Sequence, residues 1–191
     1  MPETGGNELY ISVDVETAGP NPSQYALLSI GACTVDERRR TFYAELKPGE
    51  LHSTSEAQGV HNLNLEALQA SGLPPQEAMA AFEQWVQEVT PPGVAPVFVG
   101  FNAPFDWMFV ADTFHRTLGR NPFGHSALDI KALFMGASGV SWSETTKRTL
   151  SPRYLDGRHL SHNALSDALD QAEMFEKILA EIQEAHKLRR D

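Results

Sequence analysis

Hydrophobic and polar residues alternate from residue 9 to residue 16, with Leu9, Ile11, Val13 and Val15 as the apolar members. A period of two predicts a β-strand with two different faces. Asp14 and Glu16 therefore lie on the same face of this strand. The Gly-Pro-Asn-Pro segment at 19–22 ends the strand at once, so both carboxylates are expected near an open edge of a sheet.

Two more strands are predicted directly after the first. Residues 26–35 form a second apolar run, and apolar and polar residues alternate again between residues 40 and 47. Residues 36–39 are polar and form the turn between these strands. The first three strands are therefore predicted to form a meander of antiparallel hairpins.

The pattern becomes helical from residue 53 to residue 90. Asn64 is predicted to cap a short helix that ends at Gly72, and Pro74 and Pro75 open a longer helix. The longer helix is expected to be buried through one stripe, which consists of Ala78, Phe82, Trp85, Val86 and Val89. Residues 95–101 are a continuous apolar run, which is typical of an inner strand covered on both faces.

The remaining chain alternates between helices and a short strand. A helix is predicted over 102–118, a strand over 127–130 and a short helix over 131–135. The last helix, over 163–187, is predicted to be buried through Leu165, Leu169, Ala172, Phe175, Leu179 and Ile182. Residues 137–160 contain few apolar positions and are predicted to form a long active-site loop.

These elements predict the fold class and the domain organisation. Three meandering strands followed by strand–helix alternation indicate an α/β fold, with helices packed on one mixed sheet. The chain of 191 residues is expected to form a single domain over residues 9–187. Residues 1–8 are predicted to be a flexible tail and residues 188–191 a polar tail.

Composition narrows the classes of function. The 15 basic and 25 acidic residues give a net charge of −10, which argues against general adhesion to duplex nucleic acid. A nucleic-acid substrate must then be bound by a small local group of residues and not by the charge of the whole surface. The chain lacks an apolar run of about 20 residues and a signal-like N-terminus, so a cytoplasmic protein without membrane contacts is expected. Cys33 lies in an apolar run and is predicted to be a core residue.

Three groups of polar residues are candidates for chemistry. Asp14 and Glu16 repel each other, and a divalent cation is a natural counter-charge. Asp106 and Asp167 each lie in the first turn of a predicted helix, where the helix dipole alone can explain an acidic residue. His162 precedes the last helix. Five helical residues turn through about 140°, so His162 and Asp167 share a site only if His162 lies outside the regular turns.

Together these motifs resemble a known family. Asp-x-Glu on a strand, Asn-x-x-x-Asp opening a helix and His-x-x-x-x-Asp opening the last helix are similar to the DEDDh family of 3′-to-5′ exonucleases. These are DnaQ-like proteins with a ribonuclease H-like fold, and the resemblance extends from Leu9 to about Leu179. The opening Asp-Val-Glu-Thr-Ala-Gly resembles that of ribonuclease T.

The resemblance implies an active site and a reaction. Asp14, Glu16, Asp106 and Asp167 are expected to hold two divalent cations, Mg²⁺ with Mn²⁺ as a substitute. His162 is expected to be the general base. The implied reaction is phosphodiester hydrolysis, which releases nucleoside 5′-monophosphates from the 3′ ends of single-stranded DNA or RNA.

Substrate contacts are also implied by the resemblance. Thr17, Ala18 and Asn102 are expected to contact the terminal nucleotide or support its site. His61 is a further candidate, although its Gly59–Leu63 segment departs from the His-Gly-Ile that the family often has. A separate hypothesis concerns four basic residues before His162, which are expected to close over the phosphates of the strand: Lys147, Arg148, Arg153 and Arg158.

Alternatives remain at this stage. The fold could belong to a non-catalytic or accessory module that binds nucleic acid or serves in proofreading. A structural protein with coincidental acids would tolerate Asp14→Ala and would not bind Mn²⁺. The sequence leaves open a homodimer, as in ribonuclease T and oligoribonuclease, and it contains no evident segment for association with a polymerase.

Overall fold

A computed structural model describes residues 7–60, 63–158 and 162–188. Its centre is a five-stranded sheet in the order β3-β2-β1-β4-β5. The strands are β1 (Glu8–Thr17), β2 (Leu27–Thr34), β3 (Thr41–Glu45), β4 (Ala95–Gly100) and β5 (Ala127–Asp129). β1, β2 and β3 form an antiparallel meander, whereas β4 pairs parallel with β1 and β5 pairs parallel with β4. The predicted mixed sheet is confirmed.

Helices cover both faces of this sheet. They are α1 (Ser55–Val60), α2 (Leu65–Ser71), α3 (Pro75–Val89), α4 (Ala103–Leu118), α5 (Ile130–Ser138), α6 (Lys147–Tyr154) and α7 (Ala164–Leu188). The apolar residues of β1 pack with α3 and α4, and a second core cluster joins β4 to α5, α6 and α7. Cys33 is fully buried, as predicted. None of the helices described is long and apolar enough to cross a membrane.

The segment at 137–160 differs from the predicted loop. A short 3₁₀ turn (Trp142–Glu144) and α6 occupy much of it. The Thr146 hydroxyl caps α6 by accepting the Thr149 N–H at 3.2 Å. Leu150 and Tyr154, four residues apart on α6, are buried. A helix that is held by two large buried side chains shows little hydrophobic periodicity in its sequence.

The buried face of α7 also differs from the prediction. Leu165 and Leu169 are only partly buried, whereas the small residues Ala164 and Ala168 are fully buried. Small residues let the first turns of α7 lie close to β2. A Cβ on Gly31 would lie 2.1 Å from the backbone carbon of Ala164. The face of α7 that carries Asp167 is therefore turned toward the sheet.

Because Gly31 lets α7 approach β2 closely, a substitution at Gly31 tests whether this contact positions Asp167. We expect Gly31→Ala to displace the first turn of α7, because the clash is with backbone atoms. Overpacking of this kind costs about 1–3 kcal/mol, and the hydrolysis of strands that the resemblance implies should slow by more than about tenfold as Asp167 moves. Thermal unfolding and strand-degradation rates measure both effects. Gly136→Ala is the control, since that helical site is open; equal activity of the two variants would contradict the expectation.

Candidate active site

Three of the predicted acids converge at the end of β1. Asp14 and Glu16 lie on the face of β1 that α7 covers, and Asp167 lies in the first turn of α7. One ligand oxygen from each of the three carboxylates lies within 4.8 Å of the others. All three residues are buried. The pairing register of β1 and β2 shifts between Glu16 and Thr17, and such irregularities are frequent beside active sites.

Asp106 approaches the same place from α4. Its carboxylate accepts the backbone N–H of Val15 at 3.1 Å, and its side chain is buried. Asn102, which precedes α4, has a left-handed backbone with φ of 66° and makes no side-chain cap. The N-terminus of α4 is held instead by Asp129, whose carboxylate accepts the Ala103 N–H at 2.6 Å. The Asn102 side chain therefore does not cap α4.

His162 lies just before α7, outside its regular turns. Asn163 caps the helix by accepting the Ser166 N–H at 3.1 Å. His162 itself has a left-handed backbone with φ of 51° and an exposed side chain. Non-glycine residues in this conformation are uncommon and tend to occur at functional sites. This backbone satisfies the condition under which His162 and Asp167 can share one site.

A single cleft joins all of these side chains. Its volume is about 550 Å³, and the four acids, His162, Thr17 and Asn102 line it. Gly19, Pro20 and Phe105 form part of its wall. Ala18 is fully buried, and its backbone N–H and carbonyl are bonded to Ala26 and Thr54. His61 lies outside the described residues.

Burial and mutual repulsion raise the pKa values of three of these carboxyl groups. Burial is the largest cause for Asp14, whose pKa lies well above its usual range, and the charge of Asp106 raises it further. Burial and then the charge of Asp167 raise the pKa of Glu16 to about 7. Burial raises the pKa of Asp106 to about 7. The charge of Lys147 opposes all three shifts. The site therefore favours the addition of positive charge.

These pKa values predict how stability depends on pH. A carboxyl group whose pKa is raised in the folded protein contributes to stability while it is protonated. For Glu16 this contribution is complete below the ordinary pKa of about 4 and is lost as the pH rises through about 7. In chelator, the unfolding midpoint should fall further between about pH 5 and pH 8 for the wild type than for Glu16→Gln. Thermal scans measure this; about 1 kcal/mol shifts the midpoint by about 2–4 °C. An equal or smaller fall in the wild type would contradict the electrostatic account.

Gln171 is a site residue that sequence reasoning missed. It is buried on α7, and its amide donates to Asp14 at 2.5 Å while its carbonyl oxygen accepts the Phe101 N–H at 2.9 Å. It therefore fixes the orientation of one carboxylate and ties it to the end of β4. The signal was present in the sequence, since Gln171 lies four residues after Asp167 and shares its helical face.

We expect Gln171→Met to slow the phosphodiester hydrolysis that the resemblance implies by about 10- to 100-fold, since Asp14 is expected to be a metal ligand and removing a group that orients such a ligand usually costs this much. Methionine conserves the volume but cannot bond to Asp14 or Phe101. The apparent affinity for Mn²⁺ should weaken in parallel, which isothermal titration measures. Gln69→Met on α2 is the matched control. Unchanged Mn²⁺ affinity in Gln171→Met would show that Asp14 does not need this contact.

The four basic residues before His162 do not form one group. Arg153 is paired with Glu181 at 2.7 Å, and Arg158 is paired with both Asp170 and Glu173. Among the residues that the structure describes, Lys147 and Arg148 have no carboxylate within ion-pair distance. Only these two are available for the predicted phosphate contacts.

Comparison with known proteins identifies the class. Residues 9–179 match the 3′-5′ exoribonuclease Rv2179c-like domain. The 3′-5′ DNA exonuclease Cap18 of Escherichia coli is 43% identical over 183 residues, which cover 96% of this chain and 97% of that protein. Ribonuclease T of Yersinia pseudotuberculosis is 32% identical over 182 residues, covering 86% and 81% of the two chains.

Solved structures confirm the fold. The nuclease domain of 3′hExo, a DEDDh family member bound to rAMP, aligns with a TM-score of 0.73 at 11% identity, over 91% of this chain and 92% of that one. Escherichia coli exonuclease I in complex with a dT13 oligonucleotide aligns with a TM-score of 0.73 at 16% identity, over 95% of this chain. The alignment spans only 43% of exonuclease I.

The protein is therefore a 3′-to-5′ exonuclease, and its predicted ribonuclease H-like fold is that of the nuclease domain of a DEDDh family member. Within that class, the chain belongs to the family of Rv2179c-like 3′-5′ exoribonuclease domains.

Proposed function

We propose that the protein hydrolyses single-stranded DNA or RNA from the 3′ end and releases nucleoside 5′-monophosphates. The observation that carries this proposal is the convergence of four buried acids and His162 on one cleft. A volume of about 550 Å³ lies within the range of roughly 300–1,000 Å³ usual for small-ligand sites. The cleft therefore suits one terminal nucleotide with its phosphate.

Asp14, Glu16, Asp106 and Asp167 would hold two divalent cations. The donor set consists of carboxylate oxygens without thiolates, which suits Mg²⁺ or Mn²⁺. The raised pKa values of Glu16 and Asp106, both about 7, fit the same conclusion, because clustered acids need a counter-charge. When bound, two cations stabilise the attacking and leaving oxygens of an in-line displacement at phosphorus.

The chain's own residues then position and deprotonate the water. His162 stands at the cleft, where its neutral imidazole would accept the proton of the attacking water. Gln171 holds Asp14, and the Val15 N–H holds Asp106, so these carboxylates keep their orientation. Thr17 and Asn102 line the wall on which the terminal nucleotide would rest. Ala18 supports that wall through its backbone bonds.

The assay uses purified protein with 5′-labelled DNA and RNA, single- and double-stranded, in Mg²⁺ or Mn²⁺. We expect ladders shortened by one nucleotide at a time on single strands, with nucleoside 5′-monophosphates as products. Cap18 is named a DNA exonuclease and the matching domain an exoribonuclease, so the assay needs both DNA and RNA substrates. Absence of any ladder would overturn the proposal and favour the accessory-module alternative. The cytoplasmic location stays an untested prediction, and the sequence leaves open a homodimer and association with a polymerase.

A further inference from the structure

A row of alternating lysines and aromatic rings leads away from the four acids. Its members, here called the lysine–aromatic row, are Lys147, Phe101, Lys131 and Trp142. The Lys147 Nζ lies 5.4 Å from the centroid of the Phe101 ring. The Lys131 Nζ lies 6.0 Å from the Phe101 centroid and 4.1 Å from the Trp142 centroid. Lys147 and Phe101 line the cleft, so the row is continuous with the active site.

The sheet topology explains why this row begins beside the acids. Phe101 directly follows β4, and Lys131 lies in the first turn of α5, directly after β5. Both strands run parallel to β1. The carboxyl ends of parallel strands meet at one edge of a sheet, so both residues lie at the edge where β1 presents Asp14 and Glu16.

Neither lysine is held in a close ion pair with another described residue, although the charge of Lys147 also acts on the acids of the cleft. Within residues 7–60, 63–158 and 162–188, neither Lys131 nor Lys147 has a carboxylate within ion-pair distance, whereas Lys177 and Arg158 do. In a chain with a net charge of −10, two such ammonium groups beside a cleft are a local attraction for phosphate. The cleft itself is acidic, so the electrostatic potential that attracts phosphate lies along the row.

Trp142 provides a partly open aromatic ring at the far end of the row, with the Lys131 ammonium over one of its faces. Its side chain is 50% exposed, whereas Trp85 and Trp107 pack against the core. An exposed indole beside an ammonium group can stack a nucleobase, because every base has a flat aromatic face. Lys131 lies near enough to contact the phosphate of the same nucleotide.

We propose that the lysine–aromatic row is the path of the single strand on the 5′ side of the terminal nucleotide. A base stacks on the exposed indole of Trp142, and Lys131 and Lys147 contact phosphates between that base and the cleft. This proposal rests on the proposed function and deepens it, since it assigns where the strand is held. Stacking and phosphate contacts do not read the base sequence, so the path accepts single strands of any sequence.

Binding is measured apart from turnover. Asp14→Asn protein in Mg²⁺ is titrated against labelled DNA and RNA strands long enough to extend beyond the cleft, with fluorescence anisotropy as the readout. Adding Trp142→Leu, which has no aromatic face, should weaken binding by about tenfold or more. Adding Trp142→Phe, which keeps one, should bind within a few-fold of the parent. The control for an exposed aromatic residue is Tyr43→Ala in the same Asp14→Asn protein, because Tyr43 lies on β3, the edge strand opposite β5.

The lysines are tested by salt dependence. Each phosphate contact on a single strand contributes a slope of about −0.7 to the dependence of log affinity on log salt. In the Asp14→Asn protein, the further substitution Lys131→Ala should therefore flatten the slope of log affinity against log salt by about 0.7. Adding Lys187→Ala, at an exposed position in the last turn of α7, should leave the slope unchanged.

Two results would overturn the proposal. The first is that the Trp142→Leu variant binds strands as tightly as the Tyr43→Ala control. The second is that Lys131→Ala leaves the salt dependence of binding unchanged. Either would assign the row to internal packing alone. These failures are distinct from failure of the proposed function, because the wild-type enzyme would still produce a ladder. Loss of the ladder in the wild type would overturn the function whatever the binding data show.

Discussion

Asp14→Asn is expected to lower the rate of 3′-end hydrolysis by at least about 10³-fold, because cation-based charge stabilisation is worth several kcal/mol and each 1.36 kcal/mol is tenfold in rate. Burial raises the pKa of Asp14 most, and the charges of Asp106, Asp167 and Glu16 raise it further. Asparagine keeps the shape of the side chain and an oxygen that can accept from Gln171. The loss should therefore come from the missing charge and not from misfolding.

Thermal unfolding and a control variant separate loss of charge from misfolding. Thermal unfolding in chelator should show Asp14→Asn to be at least as stable as the wild type, since a charge is no longer buried among like charges. Asp156→Asn is the control for the same substitution: Asp156 is exposed and has φ of 52°, a conformation that asparagine tolerates. An Asp14→Asn enzyme that retains activity within tenfold of the wild type would remove Asp14 from the proposed site.

His162→Asn is expected to lower kcat by about 10²- to 10⁴-fold, the usual contribution of a positioned general base. Asparagine is chosen because His162 has a left-handed backbone, which alanine would adopt only with strain. The substitution leaves all four acids in place, so the affinity for Mn²⁺ should change little. Single-turnover kinetics and titration with Mn²⁺ measure the two quantities.

The control for this variant is His186→Asn, since His186 lies exposed in the last turn of α7. We expect that variant to degrade strands at the wild-type rate. Equal activity of His162→Asn and His186→Asn would refute the assignment of His162 as the base. Loss of Mn²⁺ affinity together with activity would instead assign His162 to cation binding.

The strand that carries Asp14 and Glu16 was predictable because a period of two fixes which side chains share a face. The parallel strands β4 and β5 were predictable from an apolar run followed by a helix. The end of β4 determines where Asp106 lies, because Asp106 is in the first turn of the helix that follows this strand. The convergence of motifs far apart in the sequence was expected from the resemblance to the DEDDh family, and its physical cause is the parallel pairing of β1 and β4.

What could not be predicted depends on close contacts between elements. In the predicted buried stripe of α7, Ala172 and Phe175 are fully buried, but Leu165 and Leu169 are only partly buried. Gly31 and two alanines, and not side-chain size, decide how the first turns of the helix meet the sheet. Asp129 holds the start of α4 across 26 residues, a distance at which no sequence pattern operates. The row formed by Lys131 and Trp142 was hidden for the same reason, since its members come from separate turns.

The most direct measurement of the central claim is the anomalous scattering of crystals grown with Mn²⁺ and a nucleoside 5′-monophosphate. The account predicts two manganese peaks among the carboxylates of Asp14, Glu16, Asp106 and Asp167, with the phosphate beside them and the His162 imidazole facing it. Crystals of Asp14→Asn should lose at least one peak. A wild-type crystal with the nucleotide bound elsewhere, or with no manganese at these carboxylates, would contradict the account.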